Sequence, residues 1–128
     1  MRIGQLAKAC DCSVETVRYY EQIGLLSKPA RADNGNRMYS DDHRRWLQFV
    51  RRSRHLGLSQ DEVRVLVGIA QNDSPACADV QAMLSGHLRR VGRKIHELRQ
   101  LKKELVRLHS GCDDVDAGSC LAIDELLK

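Results

Sequence analysis

Apolar and polar positions along most of the chain recur with the period of a helix. Ile3, Leu6 and Ala7 fall on one side of a predicted helix over residues 3–9. Asp11-Cys12 reads as a turn. Ser13 is an N-cap for a second helix over residues 14–22, because its hydroxyl can accept a backbone N–H that has no helical partner. Gly24 ends that helix. The rhythm is lost over residues 25–39, where Pro29, Asp33, Asn34 and Gly35 are turn formers. The flanking pairs Leu25-Leu26 and Met38-Tyr39 are predicted to form a short hairpin. A third helix follows the N-cap Ser40, with Asp41 and Asp42 in the first turn, where the helix dipole favours negative charge. Trp46, Leu47, Phe49 and Val50 face inward, and Gly57 stops it. Ser59-Gln60-Asp61-Glu62 has the form of a capping box. It opens a fourth helix with Val63, Leu66, Val67 and Ala70 inward.

Residues 72–76 (Asn-Asp-Ser-Pro-Ala) break the pattern and mark a domain boundary. From about 79 to 109 there is no proline, and Leu84, Leu88, Val91, Ile95, Leu98, Leu101, Leu105 and Leu108 recur in steps of three and four. That is the rhythm of a coiled-coil seam. A helix so long with one narrow apolar stripe cannot bury it within a chain this small, so the stripe predicts a partner, most simply a second copy. Gly111 ends the helix. Cys112 to Cys120 is a loop rich in Asp and Gly, and Leu121 to Leu127 a last short helix. The expected fold is all-α with a small β-hairpin wing. It divides into residues 1–71, a hinge at 72–78, a dimerisation helix at 79–110 and a terminal loop and helix at 111–128.

Charge sharpens this division. Residues 1–71 hold 12 Lys and Arg against 8 Asp and Glu, whereas residues 72–128 hold 9 of each. The whole excess of +4 lies in the first part, which favours a polyanion partner there. No apolar run approaches the roughly 20 residues of a membrane span, and residues 1–4 lead straight into a polar helix rather than a secretory signal. The expectation is a cytoplasmic protein that engages no membrane. Five cysteines in a reducing compartment do not make a disulfide framework. They are buried thiols, reactive thiols or metal ligands.

The first part carries the elements of a helix-turn-helix. The second helix presents Thr16, Arg18, Tyr19 and Tyr20 and is suited to the major groove. Arg supplies charge and a planar fork of donors, and Tyr hydroxyls donate to phosphate oxygens. The basic hairpin with Arg31, Arg37 and Tyr39 then reads as a wing gripping the DNA backbone.

Ile3-Gly4-Gln5-Leu6-Ala7, Val14-Glu15-Thr16-Val17-Arg18-Tyr19-Tyr20-Glu21, Gly24-Leu25-Leu26, Arg37-Met38-Tyr39 and the Gly57-Leu58-Ser59 to Glu62 junction resemble the MerR family of transcriptional regulators. The resemblance covers essentially the whole length. It implies a homodimer with antiparallel long helices that binds double-stranded promoter DNA and changes its shape so that RNA polymerase can use the promoter. It also implies an inducer that biases a two-state dimer.

Within that resemblance the cysteines indicate the inducer. Cys112 and Cys120 share one loop, and Cys77 lies 35 residues before Cys112. In an antiparallel dimer, Cys77 of one copy can approach the partner's 112–120 loop. Three thiolates select a soft ion. The loop has no further Cys and no His, whereas zinc prefers four ligands. Cd(II), Pb(II) and Hg(II) are therefore favoured as the divalent ion, with Zn(II) as the alternative. Cys10 and Cys12 read as small apolar fillers. Two further functions remain open from the residues: a thiol redox switch on the same DNA-binding fold, and a metal-buffering protein. An enzyme is not expected, since the chain shows no nucleophile–base pair and no phosphate-cradling glycine loop.

Overall fold

The structure, a computed structural model, describes residues 1–72, 76–111 and 120–128. It contains α1 (Ile3–Ala9), α2 (Val14–Gln22), β1 (Ala30–Arg31), β2 (Arg37–Met38), α3 (Asp41–His55), α4 (Gln60–Ala70), α5 (Cys77–Ser110) and α6 (Leu121–Leu126). The chain divides into two compact units, Met1–Gln81 and Ala82–Lys128. No helix among the described residues is long and apolar enough to cross a membrane.

The first unit is built on one core. Leu6, Val17, Leu47, Val50, Leu58 and Val63 are fully buried and come from α1, α2, α3, the α3–α4 junction and α4. Leu25, Leu26, Tyr20 and Tyr39 join them, and Trp46, Phe49 and Leu66 pack at the edge. Ala70, expected inward, is exposed. Ser13, Ser40 and Ser59 each accept a backbone N–H from the residue three ahead, so all three predicted N-caps are present. At α4 the box is reciprocal, with Glu62 accepting the Ser59 N–H at 3.1 Å.

Three helices stop in the same way. After α2, Gly24 at φ +81° lets the Leu25 N–H reach the Tyr20 carbonyl at 2.9 Å and its own N–H reach Glu21 at 3.2 Å. After α3, Gly57 at φ +86° does the same with Leu58 to Ser53 and Gly57 to Arg54. Both are Schellman caps, and the buried Leu that follows each is their hydrophobic contact. After α1 the left-handed position is Asp11 at φ +53°, with Cys12 bonded to Ala7 at 2.9 Å. The turn between α1 and α2 thus uses a left-handed conformation without glycine.

The hairpin differs from the expected one. Its strands pair Ala30 with Met38 and Arg31 with Arg37, antiparallel. Leu25 and Leu26 cannot be strand partners because both of their N–H groups are bonded to the Tyr20 carbonyl. Ala32 N–H bonds to the Asn36 carbonyl at 2.7 Å across Asp33, Asn34 and Gly35, with Gly35 at φ +83°. This is a three-residue hairpin loop closed by a left-handed residue.

In α5, 34 residues at about 1.5 Å each make a helix about 51 Å long. It begins at Cys77, so that residue opens the helix instead of preceding it. The predicted stripe is exposed from Leu84 to Leu105, and only Leu108 is half-buried. In the second unit, α6 folds against the end of α5. Arg107 pairs with Glu104 and lies 3.7 Å from Glu125, and Leu121 comes close to Gly111.

Because an L-residue with a branched Cβ is costly in the left-handed region, Asp11→Val is expected to lower stability by about 1–2 kcal/mol. Asp11→Gly should leave stability within about 1 kcal/mol of wild type or raise it. Urea unfolding monitored by far-ultraviolet circular dichroism measures both. Equal loss in the two variants would show that the side chain, and not the backbone angle, matters at this turn.

Candidate nucleic-acid interface and thiol site

The hydrophobic pattern of α2 buries Val17 and Tyr20 and turns Arg18 and Tyr19 outward. Thr16 is half-buried and tied to the cap, its hydroxyl 2.9 Å from that of Ser13. Tyr19 is 44% exposed, and its hydroxyl oxygen accepts a hydrogen bond from Gln60 Nε2 at 2.6 Å. The Tyr19 hydrogen therefore remains available to another acceptor. From the same face of α4, Arg64 Nη2 donates to the Ile23 carbonyl at 2.6 Å and so caps the end of α2. Neither Gln60 nor Arg64 stood out in the sequence, because each contact spans 41 residues.

Arg31 and Arg37 stand directly opposite each other across the hairpin. Like charges at paired positions are unfavourable in themselves, and each is satisfied elsewhere. Arg31 Nη1 donates to the Gly35 carbonyl at 3.2 Å, and Arg37 Nη1 to Glu21 Oε2 at 3.1 Å. Arg18, Lys28 and Arg37 meet in a cleft of about 540 Å³ between α2 and the hairpin, together with Ile3, Glu21 and Gln22. Three cations around one open cleft suit an anionic backbone.

Two residues expected in the interface are placed in the core instead. Tyr20 is 8% exposed and Tyr39 only 3%. Tyr39 exchanges backbone hydrogen bonds with Met1 at 2.7 Å each way, and its hydroxyl donates to Glu21 Oε1. Among the described contacts both tyrosines support the surface from behind. Burial, then the Glu21 bond and charge, push the Tyr39 hydroxyl up to about 12, while Arg37 opposes them.

The thiols fall into two groups. Cys10 is buried, with its Sγ 3.7 Å from the Arg44 carbonyl. Burial raises the pKa of both Cys10 and Cys12 above the ordinary thiol value, which keeps them protonated at neutral pH and poorly nucleophilic. Cys77 is exposed at the first position of α5, in the first unit. Cys120 is half-buried at the N-cap of α6, in the second unit, and its carbonyl accepts the Asp124 N–H at 3.0 Å. Cys112 lies outside the described residues, as do the loop aspartates. Among the described residues, no group of three or more His, Cys, Asp or Glu is gathered to hold an ion. The thiol chemistry of Cys77 and Cys120 suits a soft ion.

Comparison with known proteins gives these elements a context. The family described as MerR HTH family regulatory protein matches residues 1–68, and that described as MerR, DNA binding, matches residues 44–108. The chain is 34% identical over 128 residues to a mercuric resistance operon regulatory protein of Bacillus cereus, covering 99% of this chain and 97% of the other. The crystal structure of the transcription regulator PbrR691 from Ralstonia metallidurans, in complex with lead(II), superposes with a TM-score of 0.85 at 39% identity and covers 98% of both chains. A MerR from Bacillus megaterium in complex with mercury(II) superposes with a TM-score of 0.77 at 31% identity over the whole of both chains.

Tyr39→Phe removes one of the two donors to a buried carboxylate and is expected to cost about 1–3 kcal/mol at pH 7. The Tyr39 pKa is raised on folding, so its contribution is fully present below the ordinary value of 10 and is lost as pH rises from 10 to about 12. Denaturant unfolding across that window should therefore show the gap between wild type and Tyr39→Phe narrowing as pH increases. A gap that stays constant or widens would contradict the Tyr39–Glu21 assignment.

Proposed function

The chain belongs to the MerR family of helix-turn-helix transcription regulators, and from that premise we propose that it is a homodimeric sensor of a soft divalent metal ion. In this reading it binds promoter DNA and, when loaded, distorts it so that RNA polymerase can initiate. The observation that carries the DNA-binding part is the three-cation cleft of Arg18, Lys28 and Arg37 between α2 and the hairpin. The chain is a regulator and not an enzyme, as its relatives are.

On this proposal residues 1–71 read the DNA. Arg18 and Tyr19 act from α2, with Thr16 at its start, and Arg31 and Arg37 from the wing. Tyr20 and Tyr39 hold these elements in place. Arg and Tyr donors on phosphates fix the register of the protein on the duplex. Residues 79–110 supply the dimer seam, since the exposed Leu and Ile stripe of α5 has the spacing of a two-stranded coil. The stretch between α4 and α5 is the proposed hinge, with Cys77 at the first position of α5 just after it, and residues 111–128 hold the proposed sensing cysteines Cys112 and Cys120 and α6.

Cys77 of one copy and Cys112 and Cys120 of the other are the proposed ligands. Relatives at 31% and 39% identity hold mercury(II) and lead(II), and this donor set has the same soft chemistry. Pb(II), Cd(II) and Hg(II) are favoured over Zn(II), which needs a fourth donor. A bound ion would join thiolates of two copies and so favour one arrangement of the dimer. The residues of the chain do the rest. Cys77 stands at the first turn of α5, after the segment that links that helix to α4. Gln60 and Arg64 on α4 are bonded to α2. A shift at the start of α5 therefore has a covalent and hydrogen-bonded route to the reading helix.

Cys77→Ser, Cys112→Ser and Cys120→Ser are each expected to abolish metal-dependent transcription and the thiolate-to-metal absorption band, with operator affinity unchanged within about twofold. Footprinting and run-off transcription with Pb(II), Cd(II), Hg(II) and Zn(II) measure this. Loss of operator binding in Cys112→Ser would contradict separate sensing and reading parts. Arg18→Ala should weaken operator binding and lower the salt slope by about one unit.

A further inference from the structure

The Glu21 carboxylate is an anion inside a cationic cleft, which opposes the electrostatics of a DNA-binding surface. Its side chain is only 7% exposed. One oxygen accepts the Tyr39 hydroxyl and the other accepts Arg37 Nη1 at 3.1 Å. Burying such a pair is not in itself a strong source of stability, because desolvation offsets much of the attraction and apolar residues of similar size often do as well. The arrangement is better accounted for by the geometry it imposes. Glu21 lies in the last turn of α2, whereas Arg37 and Tyr39 lie on β2 and immediately after it. These bonds tie the reading helix to a two-stranded hairpin too short to hold itself in place.

We infer that Glu21 is a positioning residue for DNA binding: it fixes the wing on α2 and aims Arg37 at the phosphate backbone without itself touching DNA. This rests on the proposed function. Arg37 can serve both partners. Its side chain remains 48% exposed, and the Glu21 bond uses one of its nitrogens. A guanidinium has five N–H donors in a rigid fork, so Nε and Nη2 remain for a phosphate. Held by Glu21, the fork loses less conformational freedom when DNA arrives.

The alternative effect is direct repulsion between Glu21 and phosphate. Two features limit it. Arg37 pairs with the carboxylate at 3.1 Å, and the Tyr39 hydroxyl covers its other oxygen. Neutralising Glu21 is therefore expected to cost affinity through a loosened wing and not to raise it by removing charge.

The test is a double-mutant cycle on a duplex selected by the wild-type protein from a random-sequence pool. Glu21→Gln should weaken binding about 5- to 20-fold and lower the salt slope by about one unit, because Arg37 no longer engages its phosphate reproducibly. Glu21→Asp should recover part of the loss. Arg37→Met should cost about tenfold in wild type and less than about twofold in the Glu21→Gln background. Tighter binding by Glu21→Gln, or an equal Arg37→Met loss in both backgrounds, would overturn the inference. A second measurement stands apart from DNA. Native-state hydrogen exchange should show lost protection at the Ala32 amide in Glu21→Gln with Val50 unchanged, and equal protection would also overturn it. If no duplex is selected at all, the DNA-binding reading fails, and the exchange result still decides whether Glu21 anchors the wing.

Discussion

The constraint on which this protein depends is that α5 has more apolar surface than its own chain covers. From Leu84 to Leu105 the stripe residues are all at least 39% exposed, along a helix of 34 residues. An apolar surface of this extent marks an interaction face, and removing it from water is favourable. Steps of three and four keep the stripe on one side of the helix, which suits an identical, two-fold related helix. Dimerisation would place two reading units at a fixed separation, and a duplex with two half-sites is the matching target. In the proposed function it also joins Cys77 of one copy to the cysteines of the other. Dimer, two-fold target and shared ion are, in that proposal, all linked through this uncovered seam.

The first unit uses the opposite strategy. Its small core is sealed by three N-caps, three left-handed helix ends and a set of long-range polar bonds. Those bonds converge on α2. Gln60 and Arg64 hold it from α4, Glu21 joins it to the wing, and Arg51 Nη2 bonds to the Asp11 carbonyl at 2.8 Å in the turn before it. The reading helix is thus braced on several sides by residues that need not meet DNA. A braced helix carries a displacement as a body, which suits the proposed action on the shape of the duplex.

Much of the fold was legible in the sequence because its signals are local. Ser13, Ser40 and Ser59 announce helix starts, Gly24 and Gly57 announce ends, and the spacing of Leu and Val announces faces. What was not legible is what depends on distant residues. Tyr19 and Tyr20 are adjacent and chemically alike, and only the packing of Leu6, Val17 and Leu47 decides which one points inward. Tyr39 resembles a phosphate donor until Glu21, 18 residues earlier, takes its hydrogen. The hairpin pairs Ala30 and Arg31, not Leu25 and Leu26, with the second strand, because those leucines are engaged in the helix cap, a bond pattern no strand propensity reveals. Cys77, Cys112 and Cys120 are conspicuous by their type, but the proposed site that gathers them needs a second chain, which one sequence does not display.

The claim that two copies share each ion has a direct test in mixed dimers. Cys77→Ser protomers and Cys120→Ser protomers should each bind no Pb(II) at the thiolate site when they form homodimers. A mixed dimer of the two keeps one intact site, in which Cys77 of the Cys120→Ser protomer meets the loop of the Cys77→Ser protomer. Equilibrium binding on purified mixed dimers should therefore recover one ion per dimer, half the wild-type capacity. No binding in the mixed dimer, or full binding in either homodimer, would contradict a site built from both chains.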